Sequence, residues 1–162
     1  NNNAKIPIEY DNLPEQDALT NILLKNGVYY LYSVNGKLIK KFPGGYGLEA
    51  FYNGLAKAYK GVPFRVGYIN YEGEEAIPLI YDDCQTLHTG LAWVKKDGIY
   101  GYIDENGKQQ LPFIYLQADK FIDGKAEVET AEGKLIIDTK GKVLKITGPP
   151  SPRNIYGEKG SN

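Results

Sequence analysis

The chain has 162 residues, a formal net charge of -1 and one cysteine, Cys84. This length suffices for one domain with a sizeable core, the single cysteine excludes an internal disulfide, and the small net charge argues against nucleic acid or anionic lipid as a partner. No apolar run is long enough to span a membrane. Tyrosine (14 residues) and glycine (19 residues) are abundant. Because they favour pleated surfaces and tight turns, we expect an all-β fold.

The chain opens with three asparagines, Asn1 to Asn3. Such a run would suit the linker that remains after a signal peptide is removed, which favours an exported protein (periplasmic, lipoprotein or secreted) over a cytoplasmic one. A cytosolic domain cut from a longer protein would begin in the same way, so the location stays open.

A repeat of about 34 to 36 residues runs through the chain. Gly73, Gly107 and Gly141 are 34 residues apart, and Tyr81 and Tyr115 keep the same interval. Tandem self-similarity of this length is typical of repeat architectures. We expect four units, at 10–45, 46–80, 81–114 and 115–147, with residues 4–9 supplying the last strand of an earlier unit.

Each unit is predicted to be an antiparallel meander of three strands. In the third unit the turn dipeptides Asp97-Gly98 and Asn106-Gly107 separate alternating apolar runs, and both pairs suit a two-residue hairpin turn. An open, curved array is favoured over a closed propeller, because a ring needs a strand or contact that joins the last unit to the first.

The third strand of a unit ends in a Pro-x-x-Tyr pattern, as at Pro112 and Tyr115. Proline lacks a backbone donor, so this strand should lie at a sheet edge. The loop that follows, residues 116–120, is expected to form at most a helical turn. We expect residues 1–146 to form one domain and residues 147–162 to be a disordered tail.

Several motifs recur among the units: Phe-x-x-Gly-Leu-Ala at 51–56, Ile-Pro-Leu-Ile-Tyr-Asp at 77–82, Gly-Leu-Ala-x-Val at 90–94, Tyr-Gly-Tyr-Ile-Asp at 100–104 and Gly-Lys at 107–108. Over about residues 5 to 146 the chain resembles the WG-repeat (KWG-repeat) family, a β-rich tandem repeat widespread in bacteria. It departs from the name-giving tryptophan, which is replaced by Tyr29, Val66, Tyr100 and Lys134. The resemblance implies repeat architecture and an interaction or surface role, and it implies no established reaction.

A hairpin closed by Asp97-Gly98 sorts its side chains onto two faces. The first carries small and aliphatic residues that we expect to be core: Ala92, Val94, Gly101 and Ile103. The second carries Trp93, Lys95, Tyr100 and Tyr102. At the position of Trp93 the neighbouring units have Lys57 and Glu127, so this second face is predicted to be at least partly wet.

An aromatic cluster on a wet face is a candidate contact surface, because aromatic residues dominate binding energy and also stack on sugar rings. The predicted binding patch consists of Trp93, Tyr100, Tyr102, Tyr59 and Tyr68. The alternative is that Trp93 simply packs under a loop or against the next unit.

Two further ladders of equivalent residues are predicted to be structural. The first, with oxygen-bearing side chains, is expected to close turns rather than to hold Ca²⁺, since no second acidic ladder accompanies it; it consists of Ser33, Asn70, Asp104 and Asp138. The second is expected to pack between units: Tyr10, Tyr46, Tyr81 and Tyr115.

Catalysis has little support in the sequence. Cys84 and His88, the only histidine, are four residues apart, but nucleophilic catalysis also needs a group that orients the base, and none is indicated. No nucleotide fingerprint and no metal-ligand cluster is present. We therefore predict a protein that is not an enzyme and has no cofactor.

Three functions remain open. The first is a bacterial binding module that contacts a protein partner through the aromatic face. The second is a carbohydrate or cell-wall binding protein in which Trp93 and the tyrosines stack on sugars. The third is an immunity or inhibitor protein that blocks a partner toxin enzyme.

Overall fold

The computed structural model describes residues 15–16, 19–87 and 90–152. Within them every regular element is a strand, and the strands form four antiparallel sheets of four strands each, in chain order. The first sheet comprises Glu15–Gln16 (β1), Thr20–Lys25 (β2), Val28–Ser33 (β3) and Leu38–Lys41 (β4). The second comprises Tyr46–Tyr52 (β5), Leu55–Lys60 (β6), Arg65–Ile69 (β7) and Glu75–Tyr81 (β8).

The other two sheets repeat this arrangement. The third comprises Asp83–Cys84 (β9), Ala92–Lys96 (β10), Ile99–Ile103 (β11) and Gln109–Tyr115 (β12). The fourth comprises Gln117–Ala118 (β13), Lys125–Thr130 (β14), Gly133–Asp138 (β15) and Val143–Gly148 (β16). The predicted all-β class and tandem units are confirmed, whereas the strand predicted from residues 4–9 lies outside the described residues.

The central hairpin of the third sheet has the predicted register, from Ala92 opposite Ile103 to Lys96 opposite Ile99. Its turn uses two left-handed residues, with φ of 52° at Asp97 and 81° at Gly98, as a type I′ turn requires. Asn26-Gly27 forms the equivalent turn between β2 and β3, whereas Asn53-Gly54 and Asp123-Gly124 are left-handed pairs that precede β6 and β14, the second strands of their sheets.

The turn at Asn106-Gly107 is longer than predicted. Only the glycine has a left-handed φ, 76°, and its N–H donates to the carbonyl of Asp104 at 2.9 Å. The Asp104 N–H in turn donates to the carbonyl of Lys108 at 3.0 Å. This geometry is that of a three-residue loop with a left-handed bulge residue, and the dipeptide alone does not distinguish it from a two-residue turn.

Each observed sheet has one strand more than the predicted three-stranded unit. Residues 116–120, expected as a helical turn, contain the edge strand β13, which pairs with β14 through Gln117 opposite Glu129. The chain therefore leaves the last strand of one sheet and enters the first strand of the next within a single residue, Asp82 or Leu116. A strand this short has no periodicity that a sequence pattern could reveal.

Proline-bearing strands lie at sheet edges, as predicted: β8 contains Pro78 and β12 contains Pro112. The strand β8 bulges over Gly67, where a Cβ atom would lie 2.5 Å from the carbonyl oxygens of Ile77 and Pro78. Glycine at this position therefore permits close backbone contact.

The sheets stack face to face, and three apolar cores lie between neighbours. In the second of these cores, Tyr68 and Ile77 of the second sheet pack on Ala92 and Val94 of the third. The third core repeats the contact with the next two sheets. The small-residue face is core, as expected, and among the described residues the stack is open rather than closed into a barrel.

Candidate binding groove between the third and fourth sheets

The predicted aromatic patch is not one exposed surface. Tyr68 and Tyr102 have 0% of their surface exposed, so the prediction of a wet face is wrong for these two residues. Each lies on the face that receives the small residues of the next sheet. The charged residues Lys57 and Glu127 were the reason for predicting a wet face. The centre of this face is nevertheless buried in every described sheet on which another sheet packs.

Tyr68 and Tyr102 instead link consecutive sheets. The hydroxyl of Tyr68 donates to the carbonyl of Gln85, and that of Tyr102 donates to the carbonyl of Asp119 at 2.7 Å. Both acceptors lie just after the first strand of the next sheet, 17 residues along the chain. Burial raises the pKa of both tyrosines above the ordinary value of 10.0, so the hydroxyls stay neutral donors.

Tyr59 lies apart from Trp93. Its side chain packs partly buried against the core between the second and third sheets, and its ring meets the exposed ring of Phe64 edge-on, with centroids 5.5 Å apart. It also covers Gly47, where a Cβ atom would lie 2.0 Å from the ring. Its role in the structure is therefore to fill space beside β5.

Trp93 and Tyr100 are brought together as predicted. They lie on adjacent strands of the third sheet, with ring centroids 5.4 Å apart at an interplanar angle of 67°. The ammonium of Lys95 lies 5.2 Å from the Tyr100 ring centroid. Both aromatic side chains are half-buried against the core between the third and fourth sheets.

A groove of about 490 Å³ opens beside Trp93, between the third and fourth sheets. The third sheet contributes Trp93 and Gln85, and two alanines of the fourth, Ala118 and Ala126, lie opposite them. The other lining residues are Asp119, Lys120, Ile122, Lys125 and Glu127. The groove thus combines one aromatic ring, small apolar residues and charges of both signs.

The groove wall beyond Trp93 is a tight turn. Ile122 and Lys125 exchange both backbone hydrogen bonds, at 2.8 and 3.0 Å, around the left-handed pair Asp123-Gly124. Ile122 is 59% exposed, so the wall presents an aliphatic side chain to solvent. A two-residue turn of this kind holds its flanking side chains in fixed positions.

At the equivalent position between the second and third sheets, an ion-pair group stands in place of the tryptophan. Lys57 occupies the position of Trp93, and its ammonium lies 3.2 Å from a carboxylate oxygen of Asp83 and 3.8 Å from one of Glu49. The hydroxyl of Thr86 also donates to Glu49, at 3.4 Å. Burial opposes the charge on Lys57, but the neighbouring Cys84, Asp83 and Glu49 together raise its pKa.

Three replacements distinguish the groove from this ion-pair group. At the corresponding positions of the next interface, Glu49 becomes Gln85, Lys57 becomes Trp93 and Asp83 becomes Gln117. The cation and both its counter-ions are lost together, which keeps the groove free of unpaired charge at these positions. This joint substitution is the signal by which the sequence could have located the groove.

The oxygen ladder closes turns, as predicted. One carboxylate oxygen of Asp104 accepts the N–H groups of Asn106 and Lys108 at 2.9 and 3.0 Å, and Asp138 accepts those of Lys140 and Lys142, both at 2.9 Å. The N–H of Lys108, followed by that of Asn106, lowers the pKa of Asp104. Among the described residues no group of three metal-ligating side chains is close enough to hold an ion.

The tyrosine ladder packs between units, as predicted for its described members. Tyr81 and Tyr115 belong to the cores that their sheets share with the next, and Tyr46 packs against the first core. Tyr10 lies outside the described residues.

The thiol of Cys84 is buried at the interface of the second and third sheets, and burial raises its pKa to about 11. Such a thiol is almost entirely protonated near neutral pH, which makes it a poor nucleophile. His88, the other member of the pair considered from sequence, lies outside the described residues.

The family model for the WG containing repeat matches two adjacent segments, residues 67–98 and 100–134. Both segments are therefore similar to WG repeats. Each one begins in or just before the end of the third strand of one sheet and extends through the second strand of the next, so a matched segment straddles a sheet interface. Residues 100–134 thereby include most of the groove lining.

A comparison with curated proteins found no match to the chain. Over the described residues, no helix has the length and apolar character needed to cross a membrane.

Proposed function

We propose that this array of WG-like repeats is a protein-interaction module and that its partner binds in the groove beside Trp93. The observation that carries the proposal is the half-buried ring of Trp93, which lines a groove of about 490 Å³ at a position that Lys57 occupies in the preceding interface. A tryptophan in a concave site is a common anchor for a partner protein.

The surroundings of Trp93 resemble a protein interface in composition. The apolar residues Ile122 and Ala118 lie next to it, and charges of both signs, Lys125 and Glu127 among them, form the rim. Interfaces commonly combine a buried aromatic or aliphatic centre with a polar rim that determines which partners are accepted. The groove lies within the size range of ligand sites and is open to an extended segment of a partner.

The proposed module performs no reaction. The buried thiol of Cys84, with a pKa of about 11, supports this view because it is neither accessible nor ionised at neutral pH. The other perturbed groups in the described residues are explained by burial in the cores, by local hydrogen bonds or by neighbouring charges, as at Lys57 and Asp82.

The test is capture by the intact protein from extracts of its source organism, followed by binding to the purified partner. Trp93→Ala should reduce binding at least about tenfold, since anchor residues contribute about 2 kcal/mol or more. Ile114→Ala is the matched control: Ile114 is 56% exposed on β12 of the same sheet and does not line the groove. A partner that both variants bind as well as the wild type does would refute the groove as its site.

A carbohydrate is the second candidate ligand, favoured by the position of Gln85 and the carboxylates of Asp119 and Glu127 around the tryptophan ring. Amides and carboxylates can hydrogen-bond sugar hydroxyls while the ring stacks on a sugar face. Glycan-array binding that disappears in Trp93→Ala would favour this candidate over a protein partner. If the captured partner is an enzyme, its activity with and without the module would test an inhibitory or immunity role.

A further inference from the structure

The outer face of the fourth sheet differs from the same face of the two sheets before it. In the third sheet this face carries Tyr102 and Leu111, both buried under the next sheet. At the equivalent positions of the fourth sheet, 34 residues later, the chain has Ile136 and Lys145. Lys145 is exposed, so an apolar core position has become a charged surface position.

A further position of this face has changed in the same way. Val66 of the second sheet and Tyr100 of the third correspond to Lys134 of the fourth. A further sheet packed on these residues would bury charges that its own small-residue face could not pair, which costs several kcal/mol per unpaired ion.

The segment after β16 provides a second, independent observation. In the third sheet the corresponding segment leads into β13, and the N–H of Leu116 donates to the carbonyl of Glu129 at 2.7 Å. The equivalent residue after the fourth sheet is Pro150, which has no N–H, and prolines also replace Tyr115 and Ala118. A sheet-switching strand cannot form the same ladder at these positions.

The chain instead fastens this segment back onto the fourth sheet. The N–H of Ser151 donates to one carboxylate oxygen of Glu129 at 2.6 Å, and its hydroxyl donates to the other at 2.9 Å. Glu129 is 7% exposed, and these two bonds lower its pKa. The segment 149–151 thus forms a strap that occupies part of the face on which another sheet would stack.

We propose that the fourth sheet and its strap form the C-terminal cap of the array, and that this face accepts neither a further repeat nor a second copy of the chain. Repeat arrays need terminal units with a polar outer face, since an uncovered internal face would stack end to end. The inference concerns the outer face alone and is independent of the occupant of the Trp93 groove.

The first test restores the internal face with Lys134→Tyr, Ile136→Tyr and Lys145→Leu together. The triple variant should self-associate, with a mass of two or more chains by light scattering after size-exclusion chromatography, whereas the matched variant Lys134→Gln with Lys145→Gln should behave as the wild type does. A triple variant with wild-type circular dichroism and cooperative unfolding that does not associate further would overturn the proposal.

The second test uses the wild-type protein, so it does not depend on a variant that folds. Amide hydrogen exchange in β14 to β16 is measured over a wide range of protein concentration. The exchange rates should be independent of concentration, while Ser151→Ala should raise them about tenfold near Glu129, because the hydroxyl bond to the carboxylate is lost. Protection of β14 to β16 that rises with concentration would show that copies do stack on this face.

Discussion

The interface between the second and third sheets and the one between the third and fourth share a framework but differ at their rims. In both, a buried tyrosine of one sheet donates to a carbonyl of the next, through Tyr68 in the first and Tyr102 in the second. At the rim, Lys57 pairs with two carboxylates at the interface of the second and third sheets, whereas Trp93 lines an open groove between the third and fourth. The buried contacts therefore specify the stack, and the rim position can vary without loss of the fold.

The largest difference should appear between a core position and a rim position on the same strand. Ala92 is buried at the interface of the second and third sheets. Trp93, its neighbour in sequence, lines the groove between the third and fourth sheets. Ala92→Asp should cost about 3–5 kcal/mol, because it buries an unpaired charge, and this loss is enough to unfold a marginal domain. Trp93→Ala should leave a cooperatively folded protein in urea titrations. Equal destabilisation by the two variants would contradict the assignment of core and rim.

The hydrogen bonds of Tyr68 and Tyr102 should contribute similar amounts to the free energy of unfolding at the two interfaces. Tyr68→Phe and Tyr102→Phe each remove one hydroxyl and leave a carbonyl without its donor, so each should lower the free energy of unfolding by about 1 kcal/mol. The measurement is the midpoint and slope of urea unfolding for both variants. A loss at one interface only would show that the tyrosines are not equivalent links.

The ion pairs of Lys57, at the rim between the second and third sheets, should contribute less to stability than the tyrosine hydrogen bonds do. Lys57→Met keeps the aliphatic stem but removes the charge, and partly exposed pairs contribute about 1 kcal/mol or less. The effect should shrink in high salt, since salt screens surface charges.

The converse variant carries Trp93→Lys, Gln85→Glu and Gln117→Asp together, and it should fill the groove, remain folded and lose the partner. Retention of the partner by that variant would separate binding from the groove.

Acid should weaken the junction between the second and third sheets more than the following one. Asp82 accepts the N–H of Gly98 at 3.0 Å and pairs with Arg65, and these contacts lower its pKa from the ordinary value of 3.8. Leu116 stands at the equivalent place in the next junction. A lowered pKa in the folded state stabilises the fold above pH 3.8, and this stabilisation disappears as the pH falls through the folded-state value.

The expected loss is small because the pair is largely exposed, and amide exchange measured from pH 7 downwards would localise it. Faster opening at β9 than at β13 in acid is the expected result. Equal opening at the two junctions would show that Asp82 has no part in the effect.

Much of the fold followed from the repeat period and the turn dipeptides. The register of the β10–β11 hairpin came directly from Asp97-Gly98, and the edge position of β12 from Pro112. The strands that open the third and fourth sheets, β9 and β13, could not be predicted, because each is two residues long and is specified by pairing with the following strand rather than by its own pattern. The Asn106-Gly107 loop was mispredicted for a related reason, since the same dipeptide fits two turn lengths.

The candidate site could be predicted only in part. Trp93 and Tyr100 were correctly paired, but Tyr68 and Tyr102 were assigned to solvent because Lys57 and Glu127 occur in the same face. That argument overlooked where each charge lies: Lys57 is at the rim of its face, where it pairs with Asp83 and Glu49, and Glu127 belongs to the last described sheet. The alternation of side chains along a strand assigns each residue to one face of the sheet. Whether another sheet covers that face depends on the position of the unit in the stack.

The central claim is that the rim position of the third sheet is open to solvent and to a partner. Trp93 is the single tryptophan of the chain, so its fluorescence reports on the groove without interference from other indoles. The direct measurement is quenching of this fluorescence by acrylamide in the native protein, compared with the same protein unfolded in urea. Substantial quenching in the native state, reduced when the partner is added, is the predicted result. Native fluorescence that acrylamide cannot reach would show that Trp93 is sealed inside the stack and would contradict the claim.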